Sequence, residues 1–400
     1  MTLACQKNSY LKEFRTTVKS CQPAQVTVAE NGKKTKVLCF EVILDDTILF
    51  PEGGGQPDDR GTIGEAEVVK VERRGATAVH YALTEVATGS EVRLSVDWER
   101  RFDHMQQHTG QHLLTAVADS MFGYKTTSWN LGDPLVSIEL DTASVSPDQL
   151  NAIEVAVNEK IRSHVPVIVH LYHDKNDPEL KQFRARGLPD DHEGSVRVLE
   201  IEGVDSTLCC GTHVSNLSHL QAIKILGCEK GKKNKCNLLF VAGGRLLKYL
   251  GRCYQVEREL TGILKGPLDK HSELADKAIK GYKSSQKVCQ LLLKDLAMLE
   301  AEVYKSKPAK DPVFCHFSQI ISQGVVCFVC VGDDKENGLF TLAGPQDIVA
   351  EMGPKLAEVL DAKGAVTGGR YRGKASKMGH RARAEKLLYE RVNNLQISGE

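Results

Sequence analysis

No run of about 18 apolar residues occurs in this 400-residue chain, so no transmembrane helix is expected. Residues 1–10 lack the apolar stretch of a secretory signal, and none is expected. An excess of one charge is missing as well. Lys and Arg number 52 and Asp and Glu 52, which excludes a uniformly basic, histone-like chain but leaves local patches open. Twelve cysteines at irregular spacings are too few for a disulfide scaffold. Free thiols in a reducing compartment follow, with a few left to bind metal, and the expected location is cytoplasmic. No internal repeat is evident. What is present, 41% hydrophobic and 26% charged residues, is ordinary for a globular protein and excludes wholesale disorder. The length exceeds one ordinary core, so about two or three domains are expected.

The pattern changes along the chain. Residues 1–97 read as β-rich, with short apolar runs at 26–28, 37–44 and 92–96. Asn31-Gly32 between two such runs predicts a hairpin, and a small β-barrel fits. Residues 98–245 read as a mixed domain. Leu113, Leu114, Val117 and Met121 recur at helical spacing. Pro147 opens an amphipathic helix with Ile153, Val157 and Ile161 on one face. Strand-like runs follow at 167–171, 196–201, 222–226 and 238–241. Residues 246–305 read as helix. Tyr282, Ser285, Cys289, Leu292, Leu296, Leu299 and Val303 form a heptad seam that could pair helices within the chain or join two chains as a homodimer. Residues 305–311 read as a linker. A small module spans 306–400, with strand-like runs at 324–331 and 339–343, a helix at 348–360, and glycine and basic residues clustered at 364–383. The expected fold class is α+β: an N-terminal small β-barrel, a central α+β domain, a coiled-coil-like helical segment and a small C-terminal α/β module.

The most specific feature is His108-Thr109-Gly110-Gln111-His112. Two histidines at i and i+4 project from one helix face, close enough to chelate one ion, though two solvated histidines would share that spacing. His104, one turn earlier, could extend the stripe. Cys209-Cys210-Gly211-Thr212-His213 adds a thiol and an imidazole four positions apart, with Gly211 allowing a tight turn. Cysteine with histidine suits zinc better than magnesium or calcium. Four protein ligands normally close a tetrahedron, so spacing alone leaves a structural zinc open. A catalytic ion needs one weak ligand or an expanded coordination.

These ligand pairs resemble the zinc set of the alanyl-tRNA synthetase editing domain and its free-standing AlaX-type relatives. The resemblance extends to the glycine-rich segment from Phe50 to Pro57, to Arg100-Arg101-Phe102-Asp103-His104-Met105, to Val196-Arg197-Val198 and to Phe240-Val241-Ala242-Gly243. It covers residues 30–245, and more weakly the helical segment and C-terminal module of the family's long form. It implies one zinc ion per chain, held by His108, His112, Cys209 and His213. Cys210 stands where relatives often have glycine, beside Cys209. Cys209 keeps the family spacing to His213. Asn237 stands where relatives often have arginine, so that arginine's role does not carry over.

The resemblance also implies a reaction: hydrolysis of the ester joining a wrong amino acid to the tRNA for alanine, serine first and glycine second. An apolar synthetic pocket rejects an added hydroxyl only modestly. A second site that hydrogen-bonds the hydroxyl discriminates the other way, because alanine leaves its polar group unpaired. Candidate readers are Thr126 and Thr127, which in an extended segment point to opposite faces. Gln56 is another, beside Gly54 and Gly55, whose backbone N–H groups can approach a ligand closely. The loop is not a phosphate loop, since no Gly-Lys-Ser/Thr follows. Zinc would position the aminoacyl end or polarise a water. No protein base is evident; Asp103 and Glu52 are the nearby carboxylates in sequence.

Residues 363–386 carry eight basic side chains against the single acid Glu385. Arg370, Arg372, Lys374 and Lys377, interleaved with glycines, are candidate tRNA phosphate contacts, the bland reading being a solvated loop. Lys230, Lys232, Lys233 and Lys235 predict a second basic patch, on a hairpin. Cys327 and Cys330 have metal-like spacing but lie in a strand pattern that sends them to opposite faces, as core residues. A non-catalytic zinc-bearing RNA-binding protein, a complete synthetase and a partner of the translation machinery are the alternative functions. No nucleotide-binding half precedes the basic segment, which opposes the second.

Overall fold

Strands β1 (Glu13–Glu30), β2 (Lys33–Leu44), β3 (Gly61–Ile63), β4 (Ala66–Arg74), β5 (Thr77–Ala82) and β6 (Glu91–Val96) pair in the order β1-β2-β5-β4-β3-β6. Strand β1 also pairs with β6, Glu13 opposite Ser95, so the sheet closes. Closure pairs β1 with β6 over Glu13–Thr17 and β2 with β5 over Phe40–Ile43, and beyond that the β1–β2 hairpin runs on as a two-stranded arm among the described residues. Val18, Val42, Ile63, Val68, Val71 and Leu94 fill its interior. Ala4 and Cys5 of the short helix α1 (Ala4–Lys7) and the segment Ile48, Leu49 and Phe50 join that core. This is a computed structural model. It describes all residues except 1, 31–32, 175–176, 184–194, 306–312, 316–325, 333–336 and 398–400. The predicted Asn31-Gly32 turn and nearly all of the predicted linker lie outside the described residues.

Helix α2 (Trp98–Phe122) follows the barrel. The Asp97 carboxylate caps it by accepting from Arg100 N, and Gly123, with φ 69°, ends it in the left-handed conformation that glycine adopts without strain. The helix is buried almost continuously from His104 to Ala118. Leu113, Leu114 and Val117 pack with residues of β8 (Val136–Leu140), α3 (Pro147–Arg162) and β13 (Cys236–Ala242) in one core; Ile138, Ile153, Val157 and Phe240 are examples. Met121, placed by spacing on the same face, is 44% exposed because the last turn runs past that core. One antiparallel sheet has the order β12-β13-β8-β7, with β7 (Thr126–Asn130) at its edge and β12 (Ile223–Lys230) at the other. A second holds β9 (Val167–Tyr172), β10 (Val196–Ile201) and β11 (Asp205–Leu208) in the order β11-β10-β9. Arg101 on α2 and Asp59 form a fully buried ion pair, and Arg101 also donates to Ser9 O at 3.1 Å and to Ile48 O. Removing one partner of such a pair costs about 3–5 kcal/mol, so it fixes α2 against the barrel. All of this belongs to one compact unit, Met1–Arg258.

The helix read as continuous over 246–305 is two helices, α4 (Gly244–Leu264) and α5 (His271–Lys305). Lys265 takes a φ of 55° and Pro267 follows. Proline lacks the N–H and clashes with the preceding turn, which breaks the helix. A second compact unit, Glu259–Glu400, holds a five-stranded sheet in the order β14-β15-β16-β18-β17. Its strands are β14 (Val313–Cys315), β15 (Cys327–Val331), β16 (Gly338–Ala343), β17 (Ala362–Thr367) and β18 (Arg370–Ala375). Phe328, Phe340 and Tyr371 pack with α6 (Gln346–Val359) and α7 (Arg381–Ile397). Cys330 lies in that core and Cys327 in a separate cluster, both buried, as the strand pattern predicts.

Candidate metal centre

Ligand atoms of His108, His112, Cys209 and His213 lie within 4.8 Å of one another, an arrangement that could hold a metal ion. The two α2 histidines stack, ring centroids 5.0 Å apart, because i and i+4 share a helix face. Cys209 and His213 arrive from the loop after β11. Cys209 Sγ lies 3.4 Å from His108 Nε2 and 3.2 Å from His213 Nε2. The N···S edge of a tetrahedral zinc site is about 3.6 Å, so the spacing fits this donor set. His104 stays outside the cluster, buried one turn away. Cys210 also stays outside: its Sγ faces the glycine loop, 3.3 Å from where a Gly54 β-carbon would stand.

The surroundings orient the donors. Thr212 N–H donates to Gln56 Oε1 at 3.0 Å, which identifies that atom as the carbonyl oxygen. His108 Nδ1 lies 2.9 Å from the same oxygen and must therefore donate to it. That leaves the Nε2 lone pair facing the cluster. Thr109 Oγ1, 3.3 Å from His213 Nδ1, accepts from Val214 N–H. Such outer partners set tautomer and ring orientation in metal sites. Gln56 Nε2 donates to Thr212 Oγ1, so Gln56 joins the barrel loop to the cysteine loop. Arg197 Nη1 donates to Cys209 O at 2.7 Å and Arg197 Nε to Gln6 O at 3.1 Å, pinning that loop from behind.

Burial, the other histidines and Arg197 hold His108 and His213 well below the usual imidazole value, so both are neutral donors. Burial, reinforced by Cys210 and opposed by Arg197, pushes the Cys209 thiol up to about 12. A buried thiolate needs a compensating charge, and a bound divalent cation supplies it.

The glycine loop closes one side. Gly54 and Gly55 are exposed, with φ of 62° and 85°, which glycine tolerates. Their N–H groups have no partner among the described residues. Trp129 covers His108, ring centroids 4.7 Å apart, and its Nε1–H donates to Gly54 O at 3.2 Å. The register shifts between Thr126 and Ser128, so Thr126 opposes Leu140 and Trp129 opposes Ile138. Leu140 and Ile138 share a buried face. This bulge therefore puts Thr126 and Trp129 on one face despite their odd spacing. Thr126 Oγ1 lies 2.9 Å from Thr115 Oγ1, which accepts from Gln111 Nε2. Thr127 points away to Glu139 and Lys235. Trp129, Arg197 and Thr115 escaped the sequence reading as site residues. Asp103 is held by Arg245 at 2.8 Å and by Gln107. Glu52 is exposed.

Arg370, Arg372 and Lys374 alternate with buried Tyr371, Gly373 and Ala375 on β18, so they share the outer face, where Lys363 opposes Lys374. The basic segment read as glycine-rich is thus mainly a β-ladder. Lys377 lies beyond the strand, 3.5 Å from Asp361. Lys230, Lys232 and Lys233 are exposed at the β12–β13 hairpin, and Lys235 reaches Glu139.

Residues 196–239 match the family model described as the threonyl and alanyl tRNA synthetase second additional domain. The chain is 52% identical over 404 residues to the alanyl-tRNA editing protein Aarsd1 of Danio rerio, covering 98% of each chain. It is 52% identical over 407 residues to the Mus musculus protein of that name, again covering 98% of each. The alanyl-tRNA editing protein AlaX-L of Pyrococcus horikoshii is 34% identical over 231 residues, 56% of each chain. With full-length identity of this order, the chain belongs to the family of alanyl-tRNA editing proteins.

Proposed function

We propose that the protein hydrolyses the ester of mischarged tRNA(Ala), serine first and glycine second, with one zinc ion held by His108, His112, Cys209 and His213. The observation that carries this is the convergence of those four donors beside an open glycine loop, in a chain whose relatives are named alanyl-tRNA editing proteins. Zinc in such a site acts as a Lewis acid toward an ester carbonyl or a water.

The chain's own residues do the rest. Gln56, fully buried, holds His108 in the donor tautomer and ties the barrel loop to the cysteine loop. Gly54 and Gly55 offer backbone N–H groups to the aminoacyl end. Thr115 accepts from Gln111, so its hydrogen can go to Thr126. Thr126 then retains a hydroxyl hydrogen for the serine side chain, and it is the threonine we assign to the substrate. Thr127 faces the lysine hairpin instead.

We extend the proposal to the rest of the chain. Residues 1–97 and 98–245 form the barrel and the editing domain, 246–305 the helical segment and 306–400 the C-terminal module. Arg370, Arg372 and Lys374 contact tRNA phosphates, with Lys377 at the strand end. Exposed Tyr282, Leu292 and Leu299 on α5 support homodimerisation through the helical segment. The free cysteines fit the cytoplasm. Turnover of Ser-tRNA(Ala) by the wild type, absent in His108→Ala, tests the main reading; no turnover by the wild type overturns it and leaves a non-catalytic RNA-binding protein.

A further inference from the structure

Trp129 is one of two tryptophans in the chain. Its indole is held from three directions: over His108 at 4.7 Å, through Nε1–H to Gly54 O at 3.2 Å, and against Gly55, where a β-carbon would stand 2.7 Å from Nε1. Gly55 leaves just enough room for the ring edge. Yet the residue packs on the core below without being fully buried, and keeps part of its surface in water. A large aromatic fixed in one orientation with part of its surface in water is a preformed stacking surface. The β7 bulge turns it to the same face as Thr126, and the open N–H groups of Gly54 and Gly55 border it. An aromatic face and two backbone donors thus adjoin His108 of the metal cluster, with Thr126 on the same face of β7.

We propose that Trp129 stacks on the unpaired terminal adenine of an aminoacylated RNA 3′ end. Single-stranded RNA is recognised by stacking its splayed bases on such side chains. The ester sits on the ribose, one sugar from the base, so a base resting on Trp129 delivers the ester toward His108 and its neighbours. This assignment rests on the deacylase reading for the ester, and on Trp129 alone for the base.

The test uses the full-length Trp98→Phe protein, in which Trp129 is the only fluorophore of its kind. It is titrated with an acceptor-stem RNA hairpin ending in CCA and with the same hairpin lacking its terminal base. Saturable quenching by the first and not the second is expected. In the native background, Trp129→Leu should raise KM for seryl-RNA about 5- to 150-fold, the equivalent of about 1–3 kcal/mol per stacked base, with kcat and metal content little changed. Trp129→Phe should restore most of the binding. Equal quenching by both hairpins, an unchanged KM, or a loss that follows loss of metal overturns the proposal. If the wild type hydrolyses no seryl-RNA while quenching still requires the terminal base, the deacylase reading fails and the stacking site stands.

Discussion

Gly211 lies so close to His108 that a β-carbon on it would stand 2.3 Å from His108 Cε1 and 2.5 Å from Nδ1. Gln56 Oε1 would be 2.9 Å away, so the ring cannot yield without losing its hydrogen bond. Glycine is required here for space, not for backbone conformation. Gly211→Ala should lower metal affinity by about 10- to 100-fold, the usual effect of disturbing a ligand's outer partner. Metal-to-protein ratio after dialysis measures it; a native ratio contradicts the placement.

The two neighbouring thiols should behave differently. Cys209→Ser removes a cluster donor and should abolish metal retention and deacylation. Cys210→Gly leaves the cluster intact and should keep both, because Cys210 Sγ packs on Gly53 and Gly54. Reversal of that order would exchange their roles.

Discrimination between serine and alanine should reside in one hydroxyl. Thr126→Val keeps the shape and removes the donor. It should cost seryl-tRNA hydrolysis about 1–3 kcal/mol in kcat/KM, or roughly 5- to 150-fold, while leaving metal content unchanged. The companion Thr127→Val should have little effect, since that side chain faces Glu139.

His80 sits in the barrel interior, Nδ1–H donating to Val42 O and Nε2 beside Thr47 Oγ1. Burial lowers it from 6.5 to about 4. Between those values the unfolded chain holds a proton that the folded chain does not. Its contribution is therefore complete above pH 6.5 and is lost as pH falls toward 4, by about 3 kcal/mol. Denaturant unfolding across that range should show stability falling with acid, and His80→Gln should flatten the slope by about one proton. An unchanged slope contradicts this.

Replacing Arg370, Arg372 and Lys374 together by glutamine should weaken tRNA binding without altering sequence preference. The slope of log affinity against log salt should drop by roughly one unit per removed contact. An unaltered slope would free the β18 face from that role.

Much of the site was legible because its donors come in local pairs. A helix fixes i and i+4 on one face, and one loop carries Cys209 and His213. What joins the pairs is not local. Gln56 reads in sequence as a candidate substrate reader on the glycine loop, yet it meets His108 across 52 positions. Trp129 and Thr126 would lie on opposite faces in a regular strand; the bulge that unites them leaves no sequence periodicity to read. In the C-terminal unit, glycines hid the alternation of Tyr371, Gly373 and Ala375 with the basic residues of β18. Apolar residues on both sides of Pro267 masked the break between α4 and α5.

The most direct measurement is steady-state deacylation of the same tRNA(Ala) charged with serine or with alanine, with and without a metal chelator. Rapid release of serine, little release of alanine, and loss of the serine activity on chelation followed by recovery with zinc are the predicted results. Equal hydrolysis of both esters, or full activity in protein shown to be free of metal, would contradict the account.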